Sequence, residues 1–214
     1  IVIGGPEVSF EPSLAHDHVI IAGEGENKWV EYLGFRSRNE SPPLDVLKKW
    51  NTYGTDLPDL SPAYLPEDLA DLKNRMVYME SSRGCPYQCS FCLSALDKTV
   101  RYYDDNLVRD QIMLLADNKI RAIKFIDRTF NLQPRRMMSL LQWLTQFRET
   151  TFHFEVVGDI LTDDILDFLD TVPEGLFQSE IGVQTTTESV HETIQRKQDN
   201  EKLFSAISRL SGSN

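Results

Sequence analysis

The chain has 214 residues, with 22 Lys or Arg against 33 Asp or Glu, so its formal net charge at pH 7 is −11. Hydrophobic residues make up 41% of it, which is enough for a packed core and argues against global disorder. No run approaches the ~20 apolar residues of a membrane span, no secretory signal pattern opens the chain, and the acidic balance gives no clear nucleic-acid signal.

Residues 1–35 have the pattern of the end of an α/β domain. Two short apolar runs, Ile1–Ile3 and Val19–Gly23, are typical of buried strands, and the first leads into a Gly-Gly-Pro turn. A helical pattern follows from Glu26 to Leu33. Because two strands and one helix cannot form a core of their own, we expect this stretch to be the C-terminal remnant of a larger domain.

Residues 36–75 differ in composition and predict a linker. Five of the ten prolines fall here, and proline restricts φ and removes a backbone donor. We therefore expect a semi-rigid connection with one short helix near Leu44–Trp50.

From Met76 to Asn214, strand and helix patterns alternate. Four strands are predicted, at Met76–Glu80, Ala122–Ile126, Phe152–Val157 and Phe177–Val183. The predicted helices begin at Asp104 or Asp105, near Pro134, after Thr162, after Thr187 and at Asp199, and they end near Asn118, Leu144, Val172, Arg196 and Leu210. Asp104 or Asp105, Thr162 and Thr187 are expected to cap the helices that they precede. Successive βα units of this kind predict a parallel sheet.

Three of these helices carry an apolar face that would pack on the sheet. The residues of these faces are Val108, Ile112 and Leu115; Met137, Leu140, Leu141 and Leu144; and Leu203, Phe204, Ile207 and Leu210.

The three cysteines of the chain, Cys85, Cys89 and Cys92, lie in one loop after the first of the four strands. An odd number so closely spaced is a poor disulfide framework and indicates a ligand set in a reducing compartment, so we expect a cytoplasmic protein. The spacing suits a single iron–sulfur centre. Zinc completed by a distant histidine, or three reduced thiols without metal, are the alternatives.

The stretch Ser82–Cys92, with Phe91 just before the third cysteine, resembles the radical S-adenosylmethionine (SAM) superfamily, and closely the branch with an N-terminal cobalamin-binding domain. This resemblance implies that the three cysteines hold a [4Fe–4S] cluster whose fourth iron binds SAM. One electron from the cluster would then cleave SAM to methionine and a 5′-deoxyadenosyl radical. A reductant such as flavodoxin or ferredoxin and a small-molecule or lipid-like substrate are implied as partners.

The resemblance also implies an α/β fold, a TIM-like partial (β/α) barrel with about four of the usual six βα units. Residues 76–214 would form this truncated radical SAM core. In such arrays the chemistry lies at the carboxyl ends of the strands, so polar residues there are the candidates for SAM binding. These candidates are Asp127, Glu155, Glu180, Gln184, Thr185 and Arg196.

Each candidate has a structural alternative. Asp127 is also suited to ending a strand at a helix entry, and Arg196 to lying exposed on its helix. An inward carboxylate such as Glu155 is uncommon unless it binds something, whereas His153 on the same face fits a satisfied core or rim histidine. The segment Gly182–Thr185 resembles one that contacts the SAM ribose and carboxylate in the family.

The glycine pair Gly4 and Gly5 resembles the last motif of a cobalamin-binding Rossmann-like domain, where bare glycine lets the backbone approach the cobalamin. Gly23–Glu26 resembles the segment that follows it. The expected function is therefore a radical SAM enzyme, with cobalamin-dependent methyl transfer or related radical chemistry in the parent protein. The alternatives are an iron–sulfur electron-transfer or scaffold protein and a zinc-stabilised interaction module.

Overall fold

The computed structural model describes residues 1–15, 18–52 and 63–212, and the chain divides into two compact units, Ile1–Ser61 and Pro62–Asn214. Residues 53–62 of the predicted linker lie outside the described residues. Within the described ranges, no helix has both the length and the apolar sequence that crossing a bilayer requires.

The first unit contains a pair of parallel strands, β1 (Val2–Gly4) and β2 (Val19–Ile21), as the apolar runs predict. Its helices are α1 (Pro6–Phe10), α2 (Glu26–Ser37) and α3 (Leu44–Trp50). The predictions of a helix from Glu26 and of a short helix at Leu44–Trp50 are confirmed, although α2 extends four residues beyond Leu33.

The core of the first unit is small. Val8, Ile20 and Ala22 form a buried cluster against which Ile3 packs. Trp50 is fully buried, and its indole Nε1 donates a hydrogen bond of 2.8 Å to Glu31 of α2, which ties α3 to α2.

The second unit alternates strands and helices. Its strands are β3 (Met76–Met79), β4 (Ser82–Arg83), β5 (Arg101–Tyr102), β6 (Ala122–Phe125), β7 (Thr151–Val156) and β8 (Phe177–Ile181). Its helices are α4 (Leu69–Leu72), α5 (Asp105–Asp117), α6 (Pro134–Leu144), α7 (Asp163–Leu169), α8 (Glu188–Thr193) and α9 (Asn200–Gly212).

Four of these strands form one parallel sheet in the order β3-β6-β7-β8. This confirms the parallel βα array predicted from the alternating pattern, and it agrees with a partial TIM-like fold. Since all four strands run the same way, the segments that follow them meet at one edge of the sheet, and the cysteine loop follows β3.

The two faces of the sheet differ in chemistry because side chains alternate along each strand. One face is apolar and covered by helices: Phe125, Phe152 and Phe154 are at most 1% exposed. On the other face, the register aligns Lys124 with His153 and Glu155 with Glu180. The charged face of this sheet is therefore the one suited to binding polar ligands.

The predicted apolar faces of two helices are confirmed. In α5, Val108, Ile112 and Leu115 are buried, and the Asp104 carboxylate caps the helix by accepting from the backbone N–H groups of Asn106 and Leu107. The predicted face of α6 is buried in full, at Met137, Leu140, Leu141 and Leu144.

Three helix predictions need correction. Thr162 and Thr187 stand at the N-cap positions of α7 and α8, but neither side chain makes a capping hydrogen bond. In α9, Phe204 is 50% exposed, whereas Ala206 is buried with Leu203. Positions 203, 206 and 210 follow the spacing of one helical stripe, and Phe204 lies beside that stripe.

Candidate functional site

The cysteine loop is closed at its base by a feature that the sequence did not predict. The two-residue strands β4 and β5 pair antiparallel, with Ser82 opposite Tyr102 and Arg83 opposite Arg101. Inside this base, the Cys85 N–H donates to the Asp97 carbonyl at 3.0 Å. The cysteines therefore lie in a loop whose two ends are held together.

Gly84, next to the first cysteine, allows this closure. It has a φ of +96°, and a Cβ built there would overlap the Thr99 carbonyl oxygen. Both the backbone conformation and the close approach therefore require glycine.

Gly84→Ala is expected to destabilise the protein by more than the ~1–3 kcal/mol of backbone strain alone, because the new methyl group also collides with the loop backbone. Chemical denaturation measures the change. Gly175→Ala is the matched control, since Gly175 also has a positive φ, +78°, but no atom lies within 4 Å of the position that a Cβ would take there. Equal losses in the two variants would contradict the close-approach argument.

Asp127 fastens the start of the cysteine loop to the end of β6. Its carboxylate accepts from the Ser81 N–H at 2.9 Å, from the Ser81 hydroxyl at 2.7 Å and from the Ser82 hydroxyl at 2.6 Å. Arg136 donates to the Ser81 hydroxyl at 3.1 Å, so that hydroxyl directs its own proton to Asp127. Burial raises the pKa of Asp127, and the hydrogen bonds from the two serines oppose this rise. Asp127, only 1% exposed, is thus placed as an anchor beneath the loop.

Asp127→Asn is expected to cost about 1–3 kcal/mol of stability, because an amide replaces one acceptor oxygen with a donor that faces other donors. The exposed Asp110 of α5 supplies the control variant Asp110→Asn. Urea denaturation of both proteins tests this: a loss confined to Asp127→Asn supports the anchor, and an unchanged midpoint contradicts it.

The three cysteines differ in exposure. Cys85 and Cys89 are buried, at 8% and 7% exposure, whereas Cys92 is exposed. Buried Thr129 places its hydroxyl oxygen 3.7 Å from Cys85 Sγ. Across the described residues, no group of three or more His, Cys, Asp or Glu side chains converges closely enough to hold a single metal ion.

All three cysteines line one cavity of about 250 Å³ together with residues from the carboxyl ends of the neighbouring strands. Four of the six predicted SAM-binding residues line it as well: Glu155, Glu180, Gln184 and Arg196. The structure thus brings the cysteine loop and these four distant positions into one site.

Lys124 holds the two carboxylates of this site. Its Nζ lies 3.3 Å from a Glu155 oxygen and 2.9 Å from a Glu180 oxygen, and His153 Nε2 lies 3.2 Å from the same Glu180 oxygen. The hydrogen bond with Lys124 lowers the pKa of Glu180, and the same bond raises the pKa of Lys124. Glu180 therefore remains charged at neutral pH.

The segment after β8 has an unusual backbone. The Thr185 N–H donates to the Val183 carbonyl at 2.6 Å, and Gln184 between them has a φ of +50°, which forms a γ-turn. Arg196 donates to the Gly182 carbonyl at 2.6 Å and supports this turn. A non-glycine residue in a left-handed conformation is strained, and such strain is concentrated at ligand-binding sites.

The Thr185 side chain has a local role. Its hydroxyl oxygen accepts from the Thr187 N–H at 3.2 Å, and its carbonyl lies 2.8 Å from His191 Nε2. Its predicted contact with SAM stays a prediction, as does that of Asp127.

Several cavity residues were missed by the sequence reasoning, namely Tyr87, Arg128, Thr129 and Lys197. Lys124, which pairs the acids of the cavity, was missed too. Arg128 and Thr129 directly follow Asp127 at a strand end, so position alone was a usable signal for them. Lys124 had no such signal, since its role depends on how β6, β7 and β8 align.

Comparison with known proteins decides the family. The sequence model of the Radical SAM superfamily matches residues 79–214 of the chain. The chain belongs to this superfamily. The match begins in β3 and includes the cysteine loop, the cavity and all of the candidate SAM-binding residues, and it identifies the chain as part of an enzyme.

Three curated relatives illustrate the resemblance. The chain is 27% identical to an uncharacterised methyltransferase of Pyrococcus horikoshii over 73% of this chain and 41% of the relative. It is 28% identical to bacteriochlorophyllide d C-8(2)-methyltransferase of Chlorobaculum tepidum over 52% of this chain and 26% of the relative. It is 38% identical to a cobalamin-dependent radical SAM methyltransferase of Streptomyces tokunonensis over 26% of this chain and 8% of the relative. The chain spans less than half the length of each of these relatives.

Proposed function

We propose that Cys85, Cys89 and Cys92 hold a [4Fe–4S] cluster and that the protein cleaves SAM reductively at the cavity described above. The main support for this proposal is that all three cysteines line the same cavity as Glu155, Gln184 and Arg196. Three thiolates on one closed loop fit a four-iron cluster and leave one iron for an outside ligand. When bound, the cluster supplies the electron for cleavage.

The chain's own residues would bind and orient SAM. Glu155 and Glu180 present carboxylates to an ammonium or to ribose hydroxyls, and Lys124 pairs with both of them, at 3.3 Å from Glu155 and 2.9 Å from Glu180. Arg196 is suited to a carboxylate, which its planar guanidinium can bind with two parallel hydrogen bonds. Gln184, held in its γ-turn, presents an amide that both donates and accepts.

The relatives' names support methyl transfer as the reaction of the whole protein, and one of those names includes cobalamin dependence. We assign Gly4 and Gly5 to cobalamin contact, in a remnant of a Rossmann-like domain over residues 1–35. Gly4 ends β1, and Gly5 follows with a φ of +107° and open space where a side chain would stand. That bare backbone suits the close approach of a large planar ligand.

The proposal also implies partners. The electron requires a low-potential donor such as flavodoxin or ferredoxin, and the methyl acceptor would be a small-molecule or lipid-like substrate.

The test is anaerobic reconstitution of the protein with iron and sulfide, followed by reduction with dithionite in the presence of SAM. About four irons per chain and formation of 5′-deoxyadenosine are expected. Bound iron without 5′-deoxyadenosine would favour an electron-transfer or scaffold protein, and bound zinc with no iron uptake would favour an interaction module. Either result would overturn the proposal.

A further inference from the structure

The hydroxyl of Thr129 faces the sulfur of the first cysteine. Thr129 is 4% exposed and Cys85 8% exposed, and the oxygen and sulfur lie 3.7 Å apart. Thr129 precedes the 3₁₀ turn Phe130–Leu132, but its side chain makes no capping bond to that turn. Within the described ranges, Cys85 Sγ is the hydrogen-bonding contact of this buried hydroxyl, and a buried hydroxyl needs a partner.

The backbone that carries Thr129 is held on both sides. Asp127 is fixed by the bonds from Ser81 and Ser82. Asn131 donates to the Val157 carbonyl at 2.7 Å and accepts from the Val157 N–H at 2.9 Å. The hydroxyl is therefore positioned beside Cys85 by two strand ends, those of β3 and β7, rather than by its own conformational preference.

Metal binding would settle which atom donates. In the free thiol, either the oxygen or the sulfur can carry the shared proton. A cysteine bound to iron is a thiolate with no proton, so the Thr129 hydroxyl must then be the donor. Hydrogen bonds to thiolate ligands are one of the features that set the reduction potentials of iron–sulfur clusters.

We propose that Thr129 raises the reduction potential of the cluster by donating a hydrogen bond to the Cys85 thiolate, an inference that rests on the proposed function. Reduction adds one electron from an external low-potential reductant, so the reduced cluster is more negative than the oxidised one. A donor to sulfur stabilises the more negative state to a greater extent. The burial of both groups strengthens this effect, because water does not screen the interaction.

The test compares three variants in anaerobically reconstituted protein without SAM, by redox titration monitored by electron paramagnetic resonance. Thr129→Val removes the hydroxyl and keeps the shape, whereas Thr129→Ser keeps a hydroxyl. Thr150→Val makes the same chemical change at a buried threonine whose hydroxyl donates to the Ile120 carbonyl at 2.8 Å, at the amino end of β7.

A more negative potential in Thr129→Val, with potentials near that of the wild type in Thr129→Ser and Thr150→Val, is the expected result. An unchanged potential in Thr129→Val with a full complement of iron would overturn the inference and leave the proposed function standing. If Thr129→Val retains no cluster, the same two outcomes are read from Thr129→Ala. Wild-type protein that binds no iron would instead refute the proposed function itself.

Discussion

Cys89→Ala is expected to lose essentially all of its cluster after anaerobic reconstitution. The three thiolates are the whole protein ligand set in the proposed centre, and Cys89 is one of the two buried ones. Loss of one thiolate would leave two irons of a four-iron cluster without a protein ligand. Iron and sulfide per chain after gel filtration, together with the visible absorbance, measure the effect.

The loop itself supplies the control. Ser90 is adjacent to Cys89 and exposed, and Ser90→Ala removes one side-chain heteroatom just as Cys89→Ala does. Ser90→Ala should retain about four irons. Full iron content in Cys89→Ala would remove that residue from the ligand set and would contradict the assignment of the loop as a cluster site.

Glu155→Ala is expected to weaken SAM binding by roughly one to two orders of magnitude while leaving the iron content unchanged. A hydrogen bond to a charged group contributes ~1.5–3 kcal/mol, and each 1.4 kcal/mol corresponds to a factor of about ten. The concentration of SAM that gives half-maximal 5′-deoxyadenosine formation reports the change.

This variant should fold, because the substitution leaves no charged side chain without an ion-pair partner. Lys124 loses Glu155 but keeps Glu180 at 2.9 Å as its partner. Glu174→Ala removes an exposed carboxylate from the turn before β8 and should leave SAM affinity as in the wild type. Normal affinity in Glu155→Ala would take this residue out of the SAM site without affecting the cysteine assignment.

Local sequence patterns determined the elements of this protein. The spacing of Val108, Ile112 and Leu115 predicted the buried face of α5, and alternation along β7 placed His153 and Glu155 on one face. The position of the cysteines after β3 predicted a centre at the carboxyl edge of the sheet. These features follow from the periods of helices and strands and from the common direction of parallel strands. Both can be read from the order of apolar and polar residues along the chain.

The tertiary structure alone decided which polar groups meet. Lys124 pairs with Glu155 and Glu180 because the register of β6, β7 and β8 places these three side chains side by side. The sequence of one strand alone does not specify how it aligns with its neighbours. Asp127 is occupied by Ser81 and Ser82, which lie 46 and 45 positions away in the chain, and Thr129 meets Cys85 across 44 positions. A periodic pattern specifies a face, whereas a hydrogen bond also requires the distance and direction that only the packed strands provide.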